Sequence, residues 1–122
     1  MIIDSYAWVE YFIGSEKGEN VKKLIKQQCY TSIVSLAEIT EWCLKNNKDI
    51  EKRINLIKSQ SEILIINERI AILAAKINHE RKKMIAGWGM MDSLILATAL
   101  SYNLGIVTGD KHFSDIENVI IL

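Results

Sequence analysis

Proline is absent from all 122 residues, cysteine occurs twice, and no apolar run approaches the length of a membrane span. Each shortage excludes something. With no proline-rich or low-complexity stretch to mark a linker, a chain of this length with 49% hydrophobic content reads as a single domain over residues 1–122, able to bury a core. The longest apolar runs, such as Ile63 to Ile66 and Leu94 to Leu100, fall far below the roughly 20 residues a bilayer requires. No basic lead precedes the N-terminal stretch, and Asp4 and Glu10 interrupt it, so it does not read as a signal peptide and a cytoplasmic protein is expected. Cys29 and Cys43 are widely spaced in apolar surroundings and read as reduced core thiols, ahead of a disulfide or a metal site.

An excess of one charge is also missing. Lys plus Arg and Asp plus Glu number 15 each, so the formal net charge is zero and gives no global support for a nucleic-acid partner. Local charge can differ. If several acids gather in one cleft around divalent cations, the ions supply positive charge there and the total over the sequence stops being informative.

What is present is concentrated in the last third of the chain. Residues Ser93 to Leu100 are apolar or small on every side, the pattern of a helix packed on all faces. Asp92 stands at its start, where a carboxylate meets the partly positive helix N-terminus, and a strand from Gly105 to Thr108 then delivers Asp110. Acids at the edge of a core cost free energy unless paired, and a metal ion is one of the few partners that accepts several at once.

The rest of the chain supplies further elements in order. Met1 to Ser5, MIIDS, reads as a short strand ending in Asp4. Helices are expected over Tyr6 to Phe12, closed by Gly14, and over Ser15 to Gln28. Cys29 to Val34 is the next strand, and Ser35 is placed to cap a helix from Leu36 to Leu44. Ser35 and Glu38 have the S-x-x-E spacing of a capping box, a local duty that competes with any coordinating role for Glu38. Asp49 opens a helix carrying Ile50, Ile54 and Ile57, which ends before a strand from Glu62 to Ile66. Asn67 can cap a helix from Glu68 to about Met84. Its far end, HERKK, reads either as a solvated terminus or as a phosphate-facing patch. A last strand spans Val119 to Leu122. This alternation predicts an α/β three-layer sandwich with a mainly parallel central sheet of about five strands. Ligands of such sheets bind beyond the carboxyl ends of the strands, where the winding reverses.

On that scheme Asp4, Glu38, Asp92 and Asp110 can converge on one edge, and their oxygens suit a hard cation, Mg2+ with Mn2+ as substitute. The strands at Met1 to Asp4 and Gly105 to Thr108 must then be neighbours. Ions held this way orient water, lower its pKa and stabilise charge on a phosphate, which points to phosphodiester hydrolysis. No conventional nucleophile competes, since Ser5, Ser93 and Thr108 have no adjacent general base. His79 and His112 read as solvated bystanders, although His112 is close enough to Asp110 to touch a substrate. Asp115 is either an additional acid or an idle loop carboxylate. Glu41, one turn after Glu38, could coordinate in its place.

The segments MIIDS, SLAEITEW, MDSLILATAL and VTGDKHF resemble the motifs of PIN-domain nucleases, especially the small VapC-type toxins of toxin–antitoxin pairs, and the likeness covers essentially the whole chain. The resemblance implies a PIN-like fold and a Mg2+-dependent endoribonuclease whose acidic positions fall on Asp4, Glu38, Asp92 and Asp110. It places Thr108 beside the metal site as a supporting hydroxyl, and Ser5 likewise. It further implies RNA as substrate, a homodimer, and a cognate antitoxin peptide lying in a groove, with no membrane association. Trp8, Tyr11, Phe12, Trp42 and Ile54 add to this more apolar surface than outer helices easily hide, so some is expected outside as an interface. Two alternatives stay open: a housekeeping PIN nuclease outside any toxin system, and a metal-holding binding module without catalysis. A receiver domain would begin with paired acids and a haloacid-dehalogenase-type phosphatase with D-x-D, whereas this chain has Asp4-Ser5-Tyr6.

Overall fold

Five strands share one sheet in the order β3-β2-β1-β4-β5, every adjacent pair parallel, in a computed structural model that describes residues 1–122. The elements run β1 (Ile2–Ile3), α1 (Ser5–Ile13), α2 (Glu16–Leu24), β2 (Tyr30–Ser32), α3 (Ile33–Lys45), α4 (Ile50–Gln60), β3 (Glu62–Leu64), α5 (Glu68–Arg81), α6 (Met90–Tyr102), β4 (Ile106–Thr108), a 3-10 turn (Lys111–Phe113) and β5 (Val119–Ile121). The expected α/β architecture is therefore the observed one. No helix is long and apolar enough to cross a membrane.

A parallel sheet covered on both faces needs strands that are apolar throughout, and β1 and β4 are fully buried. Successive strand residues point to opposite faces. Accordingly Ile3 and Val107 join the core beneath the first helices, with Trp8, Ile25, Ile39 and Ile57. Ile2 and Ile106 join the opposite core, with Leu64, Trp88, Ile95 and Phe113. Both cysteines are free and buried in the first of these. Trp8 is wholly buried, its indole N–H donating to Thr31 at 3.0 Å, while Tyr11, Phe12, Trp42 and Ile54 pack half-buried against the same core. The more exposed apolar side chains lie elsewhere, among them Ile65, Ile72 and Leu100.

Several helix starts follow the expected capping chemistry. The Asp49 side chain accepts from the Lys52 N–H at 3.0 Å and Asn67 from the Ile70 N–H at 2.9 Å, while Gly14, at φ +69°, takes the left-handed turn that closes α1. One start differs from expectation in a way that matters. The chain passes from β2 straight into α3, so Ser32 rather than Ser35 is the cap and accepts from the Val34 N–H at 3.2 Å. Ser35 is buried in the first turn, and no Ser35–Glu38 capping box exists. Glu38 lies one turn deeper than that reading placed it and is free for other work. Other elements are shorter than expected: α2 ends at Leu24 rather than Gln28, β2 and β3 stop at Ser32 and Leu64, and α5 ends at Arg81.

Candidate active site

The sheet order puts β1 between β2 and β4, so the chain's winding reverses on either side of β1, and the carboxyl ends of β1 and β4 open onto a common crevice. Register fixes what stands there. Ile3 pairs with Val107, and the Asp4 N–H donates to the Val107 carbonyl at 3.0 Å, which sets Asp4 beside Thr108. The Thr108 hydroxyl donates to Asp4 Oδ2 at 2.8 Å and accepts from the Asp110 N–H at 3.0 Å. One buried side chain thus bonds to the Asp4 carboxylate and to the Asp110 backbone. Burial pushes the Asp4 carboxyl up from its ordinary pKa; the Thr108 hydroxyl and the Ser5 backbone oppose that, and the charges of Asp92 and Asp110 add to it.

The other acids arrive from separate helices. Glu38 projects from α3, and its Oε1 accepts from the Ser5 hydroxyl at 3.1 Å. Partial burial, then the nearby Asp4 charge, push its pKa from 4.5 to about 7 against the pull of the Ser5 hydrogen bond. Asp92 is the third residue of α6 and accepts from the Gly89 N–H at 3.0 Å, so it satisfies one of the helix's free N-terminal donors. Its pKa is raised by burial and by Asp110, with the Gly89 N–H, His112 and Arg81 pulling the other way. Asp110 caps the 3-10 turn, accepting from the His112 N–H at 2.9 Å and facing His112 Nδ1 at 2.9 Å.

Asp4, Ser5, Glu38, Asp92 and Asp110 all line one cleft of ≈ 500 Å³. Two of these acids, Asp92 and Asp110, and the adjoining His112 each place a donor atom within 4.8 Å of the others. Asp4 and Glu38 line the same cleft but are not part of that close trio. A groove of similar volume, ≈ 520 Å³, runs along α5 past Arg69, Ile72 and Lys76 but gathers no convergent acids, so volume alone does not mark the site. The donor set, carboxylate oxygens with one imidazole beside them, fits a divalent cation. The electrostatics fit as well, because Asp4, Glu38 and Asp92 all have pKa values displaced toward the neutral form, a strain that a cation relieves.

Other expectations resolve against this geometry. Glu41 points to solvent and pairs with Lys45 at 2.7 Å. Asp115 is not an additional acid of the cleft: Arg81 holds both of its oxygens, at 2.9 and 3.0 Å, and lowers its pKa. The HERKK run is not uniformly solvated, since the Arg81 side chain turns inward and is only 11% exposed, while its neighbours His79, Glu80, Lys82 and Lys83 are exposed. His112 lies against Asp110 and near Asp92; its signal was the D-x-H spacing, which lets an aspartate that caps a turn meet the imidazole two residues on. The rim residues Tyr6, Trp42, Met91 and Lys111 carried no such signal, because rim position depends on how α1, α3 and α6 sit on the sheet. Tyr6 lies directly over Gly109, where any Cβ would collide with its ring.

Comparison with solved structures finds close likenesses of fold. A toxin–antitoxin complex from Klebsiella pneumoniae contains a chain similar at TM-score 0.81 and 22% identity, with 98% of this chain and 94% of that one covered. VapBC2 from Rickettsia felis, bound to a DNA fragment from its promoter, is similar at TM-score 0.76 and 21% identity, covering 99% and 96%. VapC20 of Mycobacterium tuberculosis, described as a sarcin-ricin loop cleaving toxin, is similar at TM-score 0.72 and 14% identity, covering 97% and 95%. Comparison with curated proteins finds no match. The model of the PIN domain family matches residues 1–119, a span that holds all four acids of the cleft, and the chain therefore belongs to the PIN domain family.

Proposed function

We propose that this protein is a Mg2+-dependent endoribonuclease, the toxin of a type II toxin–antitoxin pair, acting in the cytoplasm, with residues 1–122 as one nuclease domain. The observation that carries this reading is the convergence of Asp4, Glu38, Asp92 and Asp110, from four separate segments, on one cleft of a chain in the PIN family. In this reading Asp4, Asp92 and Asp110 hold the cation, with Glu38 completing its surroundings, and Mn2+ can replace Mg2+. When bound, the ion supplies a polarised water and neutralises charge on the scissile phosphate. The chain's own residues prepare that event. Thr108 fixes Asp4 and Asp110 relative to each other, Ser5 fixes Glu38, and the α6 N-terminus fixes Asp92. The reaction adds water across a phosphodiester: an oxygen–phosphorus bond forms to the water oxygen, and the bond to the leaving ribose oxygen breaks.

RNA as the substrate rests on the family and on the described activity of the mycobacterial neighbour. An antitoxin segment as inhibitor rests on the neighbours that are themselves toxin–antitoxin complexes. Self-association into a homodimer would give exposed apolar side chains such as Ile72 and Leu100 a covered environment. Purified protein incubated with RNA and Mg2+ tests the central claim. Cleavage that a chelator abolishes, that Mn2+ restores, and that Asp4→Asn lacks is expected. Cation-independent cleavage, or none by the wild type, would overturn it, and binding without turnover would leave a metal-holding module instead. Light scattering that shows only monomer at high micromolar concentration would remove the homodimer.

A further inference from the structure

Arg81 is the most enclosed cation-bearing side chain near the cleft, yet it touches none of the four acids. Its guanidinium lies over the Trp88 ring, 4.1 Å from the centroid. One nitrogen donates to Asp115 at 3.0 Å, and the other donates both to Asp115 and to the His112 carbonyl, each at 2.9 Å. These partners lie on the two arms that carry the trio of donors. Trp88 belongs to the segment entering α6, its indole N–H donates to the Ser93 hydroxyl at 2.7 Å, and Ser93 adjoins Asp92. Ser93 in turn donates to Asn78 of α5 at 3.1 Å. His112 lies within the 3-10 turn that Asp110 caps, Asp115 follows that turn, and Phe113 in it packs against Trp88 at 4.9 Å between ring centroids. Arg81 therefore sits at the junction of the two arms.

We propose that Arg81 is a positioning residue, clamping the 110–115 segment to the entry of α6 so that Asp92, Asp110 and His112 stand within cation-sharing distance before any cation arrives. The proposal rests on the cation site described under the proposed function. Only a planar guanidinium can fill the role, because the clamp needs a flat face for the indole and a fork that serves two acceptors at once. Lysine could keep the charge and one of these contacts. Supporting groups outside the coordination sphere typically hold 10–100-fold in metal affinity, and a loss of that order is expected here.

Calorimetric titration with Mn2+ tests this on the full chain at a temperature where circular dichroism shows every variant folded. Arg81→Ala should weaken Mn2+ binding about 10-fold or more, with Arg81→Lys intermediate. Asp115→Ala, an exposed change that leaves the Trp88 and His112 contacts, should cost less, and the double variant should lose no more than Arg81→Ala alone. In RNA cleavage the loss should appear as a higher Mn2+ concentration for half-maximal rate, with the rate at saturating Mn2+ largely kept. A residue serving only stability would lower the unfolding midpoint and leave the Mn2+ Kd unchanged, and that result would overturn the proposal, as would additive losses in the double variant. If the wild type binds no Mn2+, or binds it equally well as Asp92→Asn, the cation site itself is wrong and the clamp falls with it. If Asp92→Asn loses Mn2+ while the Arg81 variants do not, the clamp alone is wrong.

Discussion

Glu38→Gln should change how the cation-free protein responds to pH. In the folded chain the Glu38 carboxyl has a pKa of about 7 against 4.5 for an ordinary glutamate, because burial and the Asp4 charge disfavour ionisation. A raised folded-state pKa means that the native protein holds the proton more tightly than the unfolded chain. The associated stability is therefore fully present below pH 4.5 and is lost as pH rises through about 7. At about 1.4 kcal/mol per pH unit the ceiling is ~3 kcal/mol. Glu38 is half-exposed, so screening by solvent lowers this to about 1–2 kcal/mol. For a chain of this length that corresponds to about 3–10 °C in melting temperature. Asp4 and Asp92 are displaced in the same direction and steepen the same decline. The assay is urea unfolding in a chelator at intervals from pH 5 to pH 8 for wild type and Glu38→Gln. The wild type should lose about 1–2 kcal/mol more than the variant across that window. Adding Mg2+ at pH 7.5 should recover stability chiefly in the wild type. Parallel pH profiles for the two proteins would refute the claim that Glu38 is strained by its neighbours.

Asp92→Asn should slightly raise stability without cation, blunt the rise in melting temperature on adding Mg2+ and abolish RNA cleavage. An ion at a hundredfold excess over Kd contributes about 2.7 kcal/mol, several degrees in a melting scan, so a variant that keeps the full shift would show that Asp92 is not a ligand. Thr108→Val should cost about 1–3 kcal/mol in urea unfolding, because it strips a donor from buried Asp4 and an acceptor from the Asp110 N–H. Thr108→Ser, which keeps the hydroxyl, should lose about 1 kcal/mol or less, and equal losses for the two would mean that the hydroxyl is not what matters. Gly109→Ala should displace the Tyr6 ring, cost about 1–3 kcal/mol and raise the RNA concentration for half-maximal cleavage; an unchanged variant would show that Tyr6 has room to move.

Much of this arrangement was legible in the residues because the signals were local. Period and punctuation marked the elements, and caps such as Asp49 and Asn67 stood where side-chain oxygens meet free N–H groups. Asp4 and Asp110 could be brought together because each follows a short apolar run that only a buried strand explains. Glu38 was harder. Ser35 and Glu38 have a capping spacing, and nothing local reveals that α3 begins at Ile33 with no intervening loop. The start is set by tertiary demands, since Val34 and Ile39 must both reach core positions on the sheet. Arg81 was illegible for a related reason. In a run of charged residues at a helix end each looks equally solvated, and only the folded position of Trp88 and Asp115 selects the one that turns inward.

The four acids show why such a site tolerates having no cation. Each is held by a donor other than a lysine or arginine: the Thr108 hydroxyl on Asp4, the Ser5 hydroxyl on Glu38, the Gly89 N–H on Asp92, and the His112 N–H on Asp110. Neutral donors orient a carboxylate without cancelling its charge, so burial first and repulsion from the neighbouring acids second keep the pKa values of Asp4, Glu38 and Asp92 raised. A lysine or arginine in the same place would have relieved that repulsion and stabilised the fold, but it would also have filled the position a divalent ion needs. The nearest guanidinium, Arg81, instead spends its hydrogen bonds on Asp115 and a backbone carbonyl and reaches the cleft only by a small lowering of the Asp92 pKa. The cleft is thus ordered and electrostatically unsatisfied at once, a combination that suits a cation and costs stability in its absence.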